Sequence, residues 1–136
     1  MRSSAMMDTA QLLADWLGEG GEVVDCKLST YRALHCVAGH AGDTCPFNVE
    51  PNWWDKVKNT IAETIRGQLA VKNEKAVATR FDPSLHMCKI CGCCLPLKVH
   101  VPIKHIAAHT PPQVEEKFPS WCWIRRELDQ LKNKDL

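Results

Sequence analysis

The chain has 136 residues, 45% of them hydrophobic and 24% charged, which fits one soluble globular domain able to bury a moderate core. Its formal charge of +1 gives no bulk attraction to nucleic acid or to an anionic membrane. Residues 1–70 carry six Lys/Arg against nine Asp/Glu, a balance of −3, and residues 71–136 carry eleven against seven, a balance of +4; an ordinary solvated surface accounts for so mild an asymmetry.

In chain order, the first predicted helix runs from about Asp8 to Leu17, with Met7, Leu12, Leu13, Trp16 and Leu17 on one face and Gly18, Gly20 and Gly21 as the stop. Residues Val23 to Cys36 form a second segment with a short helix over Leu28–His35. A loop with Gly39 and Gly42 follows and closes on Cys45-Pro46; its glycines suit a backbone that turns tightly around something. The clearest helix starts near Asn52, just after Pro51, and ends before Asn73. Trp54, Val57, Ile61, Ile65 and Leu69 give it a regular apolar stripe, weakened at Gly67. Residues 73–83 are polar and read as a connector.

From Leu85 to Pro96 the pattern is irregular. Leu97-Lys98-Val99-His100-Val101-Pro102 then alternates apolar and polar, as a short strand does. Pro102 can open a short helix through His105 to His109, ended by Thr110-Pro111-Pro112. The last helix begins around Pro119-Ser120 and carries Trp121, Ile124, Leu128 and Leu131 on one face. The fold class expected is therefore an α-rich small domain with irregular Cys-rich metal-binding loops and at most a short β-hairpin. It is a single domain over residues 1–136, in which a Cys-rich region, 84–123, packs with loop 36–48.

No apolar run approaches the roughly 20 residues that cross a bilayer. The stretch from Met1 to Asp8 lacks the continuous apolar segment of a signal peptide. Membrane association and secretion by a signal peptide are therefore not expected, and the thiols should begin in a reducing compartment. There are eight: Cys26, Cys36, Cys45, Cys88, Cys91, Cys93, Cys94 and Cys122. In a reducing compartment that density points to metal rather than to disulfides.

The strongest signal is Cys88-x-x-Cys91-x-Cys93-Cys94. Two cysteines separated by two residues can turn both sulfurs toward one ion, and Gly92 favours the tight knuckle this needs. The rest of a four-ligand shell must come from elsewhere. Cys122 is the best candidate, at the start of the last helix, where backbone amides stabilise thiolate charge. Cys36 and Cys45, which pin the glycine loop at both ends, come next. Adjacent cysteines diverge, so Cys93 is taken as the ligand and Cys94 as a core residue, while Cys26 is expected to be a buried free thiol. The candidate metal ligands are thus Cys36, Cys45, Cys88, Cys91, Cys93 and Cys122. The cofactor expected is zinc, with a 4Fe–4S cluster as the alternative. Cys45-Pro46 is a step common beside cluster ligands, but the spacing is not the ferredoxin run. The plain alternative is that several of these cysteines are simply buried apolar side chains.

The histidines add less. His105 and His109, four apart, could share a helix face, but the Glu of a His-Glu-x-x-His motif is missing and a solvated face explains them. His100 alternates outward between Val99 and Val101 and reads as exposed; His35 and His40 bracket Cys36. No local signature marks a cysteine nucleophile, the deaminase pattern and phosphate-binding glycine motifs are absent, and no small-molecule substrate is indicated, so the chain is not expected to be an enzyme. Lys89, Lys98, Lys104, Arg125 and Arg126 could form a basic patch beside the knuckle. Five tryptophans against one tyrosine and three phenylalanines place large rings in the core or at an interface.

The run from Cys36 to Cys45-Pro46-Phe47-Asn48, then Cys88-x-x-Cys91-x-Cys93 leading into residues 97–102, then Cys122-Trp123, resembles small Cys-rich metal-binding proteins encoded by tailed bacteriophages and prophages. The likeness covers about the last hundred residues and departs at Cys94, where proline is expected after Cys93. It implies a structural or assembly protein, a tail or baseplate component with protein partners in a larger particle. Such a protein is present in the host cytoplasm during synthesis and then in the virion, with the metal as a rigid staple and exposed tryptophans meeting the partners. A zinc-knuckle module associated with nucleic acid and an iron–sulfur redox or sensor protein are the other two functions these residues allow.

Overall fold

The computed structural model describes residues 3–39, 42–50, 53–90 and 93–134. Among them are seven α-helices: α1 (Ser3–Gly18), α2 (Cys26–Ala38), α3 (Trp53–Asn73), α4 (Leu95–Lys98), α5 (Ile103–Ala108), α6 (Pro112–Glu115) and α7 (Trp123–Lys134). Two short strands, β1 (Asn48–Val49) and β2 (Met87–Cys88), pair antiparallel with Asn48 opposite Cys88 and Val49 opposite Met87. The fold is thus a small α-rich domain. Its sheet is not a hairpin, because the whole of α3 lies between the two strands.

α1 ends in a Schellman closure. The Gly21 N–H reaches the Trp16 carbonyl (2.9 Å) and the Gly20 N–H reaches that of Leu17 (3.2 Å), with Gly20 at φ +117°. Gly21 follows at φ +62°, and a Cβ there would stand 2.7 Å from Leu69 of α3, so both conformation and space require glycine. α2 is capped by Asp25, whose carboxylate accepts from the Lys27 N–H at 2.8 Å. The core gathers Trp16 of α1, Leu69 of α3, Leu95 and Leu97 of α4, Val99, Val101, Ile106 of α5, Phe118, and Trp123, Ile124 and Leu128 of α7. α1 packs on α5, α5 on α7, and α3 on α4.

At the centre lies a residue that charge counting treats as surface. Arg32 of α2 is 1% exposed. Its Nε and Nη2 donate to the two Glu127 carboxylate oxygens (2.9 and 2.6 Å), Nη1 donates to the Val99 and Val101 carbonyls (3.0 and 2.7 Å), and the guanidinium lies 4.6 Å from the Trp123 ring centroid. One planar cation thereby joins α2, α7 and the turn after α4.

That clamp explains the first correction. Residues 97–102 are not a strand. Leu95–Lys98 is helical, with Pro96 in its first turn, and a turn at 99–100 follows. Alternation signals a strand only where its polar positions face water, and here Lys98 (5%) and His100 (3%) are as buried as their apolar neighbours. His100 is therefore not exposed. The α3 stripe is corrected as well: Ala62 and Leu69 are buried and Ile65 half-buried, but Val57 and Ile61 stand exposed. The second half of α3 closes on Gly21, where the Asn73 side chain donates to the glycine carbonyl (3.1 Å), and Arg66 donates to Asp82 at 2.6 Å. The start near Asn52 and the side chain of Trp54 lie outside the described residues.

Smaller differences follow the same logic. The connector 73–83 buries Val77 and leads into a 3-10 turn at Asp82–Ser84. α5 ends at Ala108 with His109 as its cap, and Pro112 opens α6. In α7 the buried ring is Trp123, not Trp121. Cys26, expected to be buried, begins α2 on the exposed side. Trp16 and Trp123 are core residues rather than exposed partner contacts. Among the described residues no helix is long and apolar enough to cross a membrane.

Candidate metal centre

Three distant stretches meet beside α7. The first is the loop 36–48. It is closed by the Cys45 N–H to the Cys36 carbonyl (3.0 Å) and by the Asn48 N–H to the Cys45 carbonyl (3.0 Å). The second is the knuckle. His86 and Leu95 are joined by a backbone hydrogen bond of 2.9 Å, Cys88 and Cys93 by one of 3.0 Å, and Met87 bridges Cys94 antiparallel. The backbone thus folds back sharply within the Cys88–Cys93 span. The third is the entry to α7, where the Cys122 carbonyl accepts from the Arg126 N–H at 3.0 Å.

Asn48 fastens the first stretch to the second. It is 7% exposed; its Nδ2 donates to the Cys36 carbonyl (3.2 Å) and the Ser84 carbonyl (2.9 Å), and its Oδ1 accepts from the His86 N–H (2.8 Å). Strand pairing of Asn48 with Cys88 and a bond from the Lys89 N–H to the Phe47 carbonyl (2.8 Å) complete the seam. A polar side chain this buried is stable only because all three of its bonds are made.

The three stretches border a partly open cavity of about 20 Å³. Cys36, Cys45, Cys88 and Cys122 line it, together with apolar side chains that include Phe47, Ile90 and Phe118. Four of the six candidate ligands are therefore on one cavity. Cys91 lies outside the described residues, as does His40. Cys93 is not on the cavity wall; its sulfur accepts a hydrogen bond from Lys98 Nζ at 3.5 Å, and both residues are buried. Among the described residues no group of three or more His, Cys, Asp and Glu side chains is arranged to hold a metal ion.

His35, His100, His105 and His109 do not line the cavity. His35 is hydrogen-bonded to the Tyr31 carbonyl and faces Arg126; His109 meets Asp15 of α1 at 2.5 Å; His105 lies 3.7 Å from Glu19. The last two pairs dock α5 against α1, so the spacing of four that joins His105 to His109 is matched by the spacing of Asp15 to Glu19. His100 is buried with Nε2 unpartnered, and burial holds its pKa down to about 4 despite the opposing pull of Asp82. The suggested basic patch loses Lys98 to the interior, and Arg125 is engaged with the Glu115 and Phe118 carbonyls (3.3 and 3.0 Å).

Sequence reasoning overlooked Asn48 and Arg32. The signal for Asn48 was its place three residues after Cys45, inside the quoted Cys-Pro-Phe-Asn run; nothing in the sequence marked Arg32. No protein-family model, curated protein or solved structure matches the chain.

Proposed function

We propose that the chain is a structural protein whose tertiary fold is locked by one cysteine-bound zinc ion at the cavity between loop 36–48, the knuckle and the entry to α7. The observation that carries this reading is the convergence of Cys36, Cys45, Cys88 and Cys122, from four separate positions in the sequence, on one small cavity with otherwise mostly apolar walls. Cys91 enters through its Cys-x-x-Cys spacing alone.

Zinc is favoured over a 4Fe–4S cluster because an isolated Cys-x-x-Cys in a small domain is the usual mark of a structural zinc site. Thiolates in an apolar surround are soft ligands suited to zinc. Binding would draw the sulfurs inward onto the ion and release their protons, so metal affinity and folding stability are coupled. The ion would then tie together the three segments that line the cavity.

The decisive experiment is elemental analysis of freshly purified, anaerobically handled protein, with chelator and zinc titrations followed by thermal unfolding. One zinc per chain, a lower Tm on chelation and recovery on adding zinc support the reading. Absence of zinc and iron, with a Tm indifferent to both treatments, overturns it; a visible chromophore with iron replaces zinc by a cluster. Service as a part of a larger particle follows from the bacteriophage resemblance and is tested by sedimentation and by copurification with particles.

A further inference from the structure

Lys98 and Cys93 form a second cysteine feature, apart from the cavity. Lys98 is 5% exposed and Cys93 6%, and the amine nitrogen stands 3.5 Å from the sulfur. The two are held together by the first turn of α4. Cys94 caps this helix, and its carbonyl accepts the Lys98 N–H at 2.9 Å, so residues 93 and 98 bracket a single turn. Leu95 and Leu97, at 2% and 4% exposure, anchor that turn in the core. A primary amine and a thiol are thus kept at contact distance in a site that bulk water hardly reaches.

From this juxtaposition we propose that Lys98 and Cys93 are a modification site: under hydroperoxide they join in a reversible sulfur–nitrogen cross-link. In the first step the Cys93 thiol attacks hydrogen peroxide. The O–O bond breaks, the sulfur loses two electrons and becomes a sulfenic acid, and the second oxygen leaves as water. In the next step the neutral Lys98 amine attacks the sulfenic sulfur. The N–S bond forms as the S–O bond breaks, and the hydroxyl leaves as water with a proton from nitrogen. Where Lys98 starts as an ammonium, one further proton passes to solvent. A sulfenic acid condenses with whatever nucleophile adjoins it, a thiol or a nitrogen.

The Lys98 amine stands within reach of the Cys93 sulfur. The neighbouring Cys94 is a poor partner, since consecutive Cα atoms lie about 3.8 Å apart and disulfides need roughly 4.4–6.8 Å. The cross-link would staple the start of α4 to its end, and a thiol reductant would reverse it. Cys93 does not line the cavity, so this proposal and the zinc reading stand or fall separately.

The test uses the full chain, treated with hydrogen peroxide and digested with a protease that does not cut at lysine. The expected product is a peptide lighter by two hydrogen atoms, with fragment ions placing the loss on Cys93 and Lys98, and dithiothreitol restoring the original mass. Lys98→Arg keeps the charge but not the nucleophilic amine; it should retain the helical circular dichroism and send Cys93 on to sulfinic acid. The proposal is overturned if Cys93 ends as sulfinic acid or in a disulfide while Lys98 is unmodified. A cross-link that keeps an oxygen atom, or one that forms equally in Lys98→Arg, overturns it too. The wild-type peptide map decides the matter even where the variant does not fold.

Discussion

Replacing Arg32 by methionine tests the tertiary logic most directly. The side chain is 1% exposed and makes four hydrogen bonds, two to Glu127 and one each to the Val99 and Val101 carbonyls. Methionine fills most of the volume and still meets Trp123, so lost packing is a minor part. What remains is a Glu127 carboxylate at 14% exposure without its cation, and two carbonyls without their donors. Breaking a buried ion pair from one side costs about 3–5 kcal/mol, and the orphaned carbonyls push the result to the upper end of that range. Against a typical total of about 5–15 kcal/mol, the variant should be close to unfolded at room temperature. Urea unfolding followed by tryptophan fluorescence reads this out, because Trp123 lies against the guanidinium. The second arm is Arg32→Met with Glu127→Leu, which removes the stranded carboxylate. The double variant should be more stable than Arg32→Met alone, a coupling that two independent sites would not show. If Arg32→Met shifts stability by less than about 1 kcal/mol, or if the double variant is the sum of the single ones, the clamp does not organise the core as described.

The remaining expectations are simpler. Cys88→Ser and Cys91→Ser should each abolish stoichiometric zinc and lower Tm; full metal content and an unchanged melting curve in either removes that residue from the ligand set. Asn48→Ala takes the side-chain partner from the Ser84 carbonyl and the His86 N–H, and leaves the Cys36 carbonyl, which still accepts the Cys45 N–H, with one bond fewer; it should cost about 2–4 kcal/mol, measured by urea titration. His100, with its folded pKa lowered from 6.5 to about 4, binds a proton less readily in the native than in the unfolded chain. Its contribution is therefore full above about pH 6.5 and is lost as the pH falls toward 4, by up to about 3 kcal/mol. His100→Leu should flatten the stability profile in that window, and an unchanged slope would contradict the assignment. Cys26→Ser, on the exposed start of α2, should leave stability within about 0.5 kcal/mol and metal content intact.

Features that depend on near neighbours along the chain are legible in the residues alone. The glycines after Leu17 stop α1 because positive φ is cheap only there. Pro102 opens α5, and the pattern around Ile124 and Leu128 makes α7 amphipathic. The Cys-x-x-Cys spacing announced a knuckle, and Cys36 and Cys45 announced a pinned loop. Each of these is a short-range fact, readable from local conformation or helical period. The remaining features come from packing between distant segments. Alternation at 97–102 looked like a strand, yet α2 supplies Arg32 to the carbonyls of that segment and buries its polar positions too. In the α3 stripe Val57 and Ile61 face water, while Leu69 lies in the core beside Gly21. Cys93 was a candidate ligand for its place beside the knuckle and Cys122 for its place at a helix start, and the fold turned one toward Lys98 and the other toward the cavity. Which side chains share a cavity depends on contacts between residues scores of positions apart, and no periodicity along the chain encodes them.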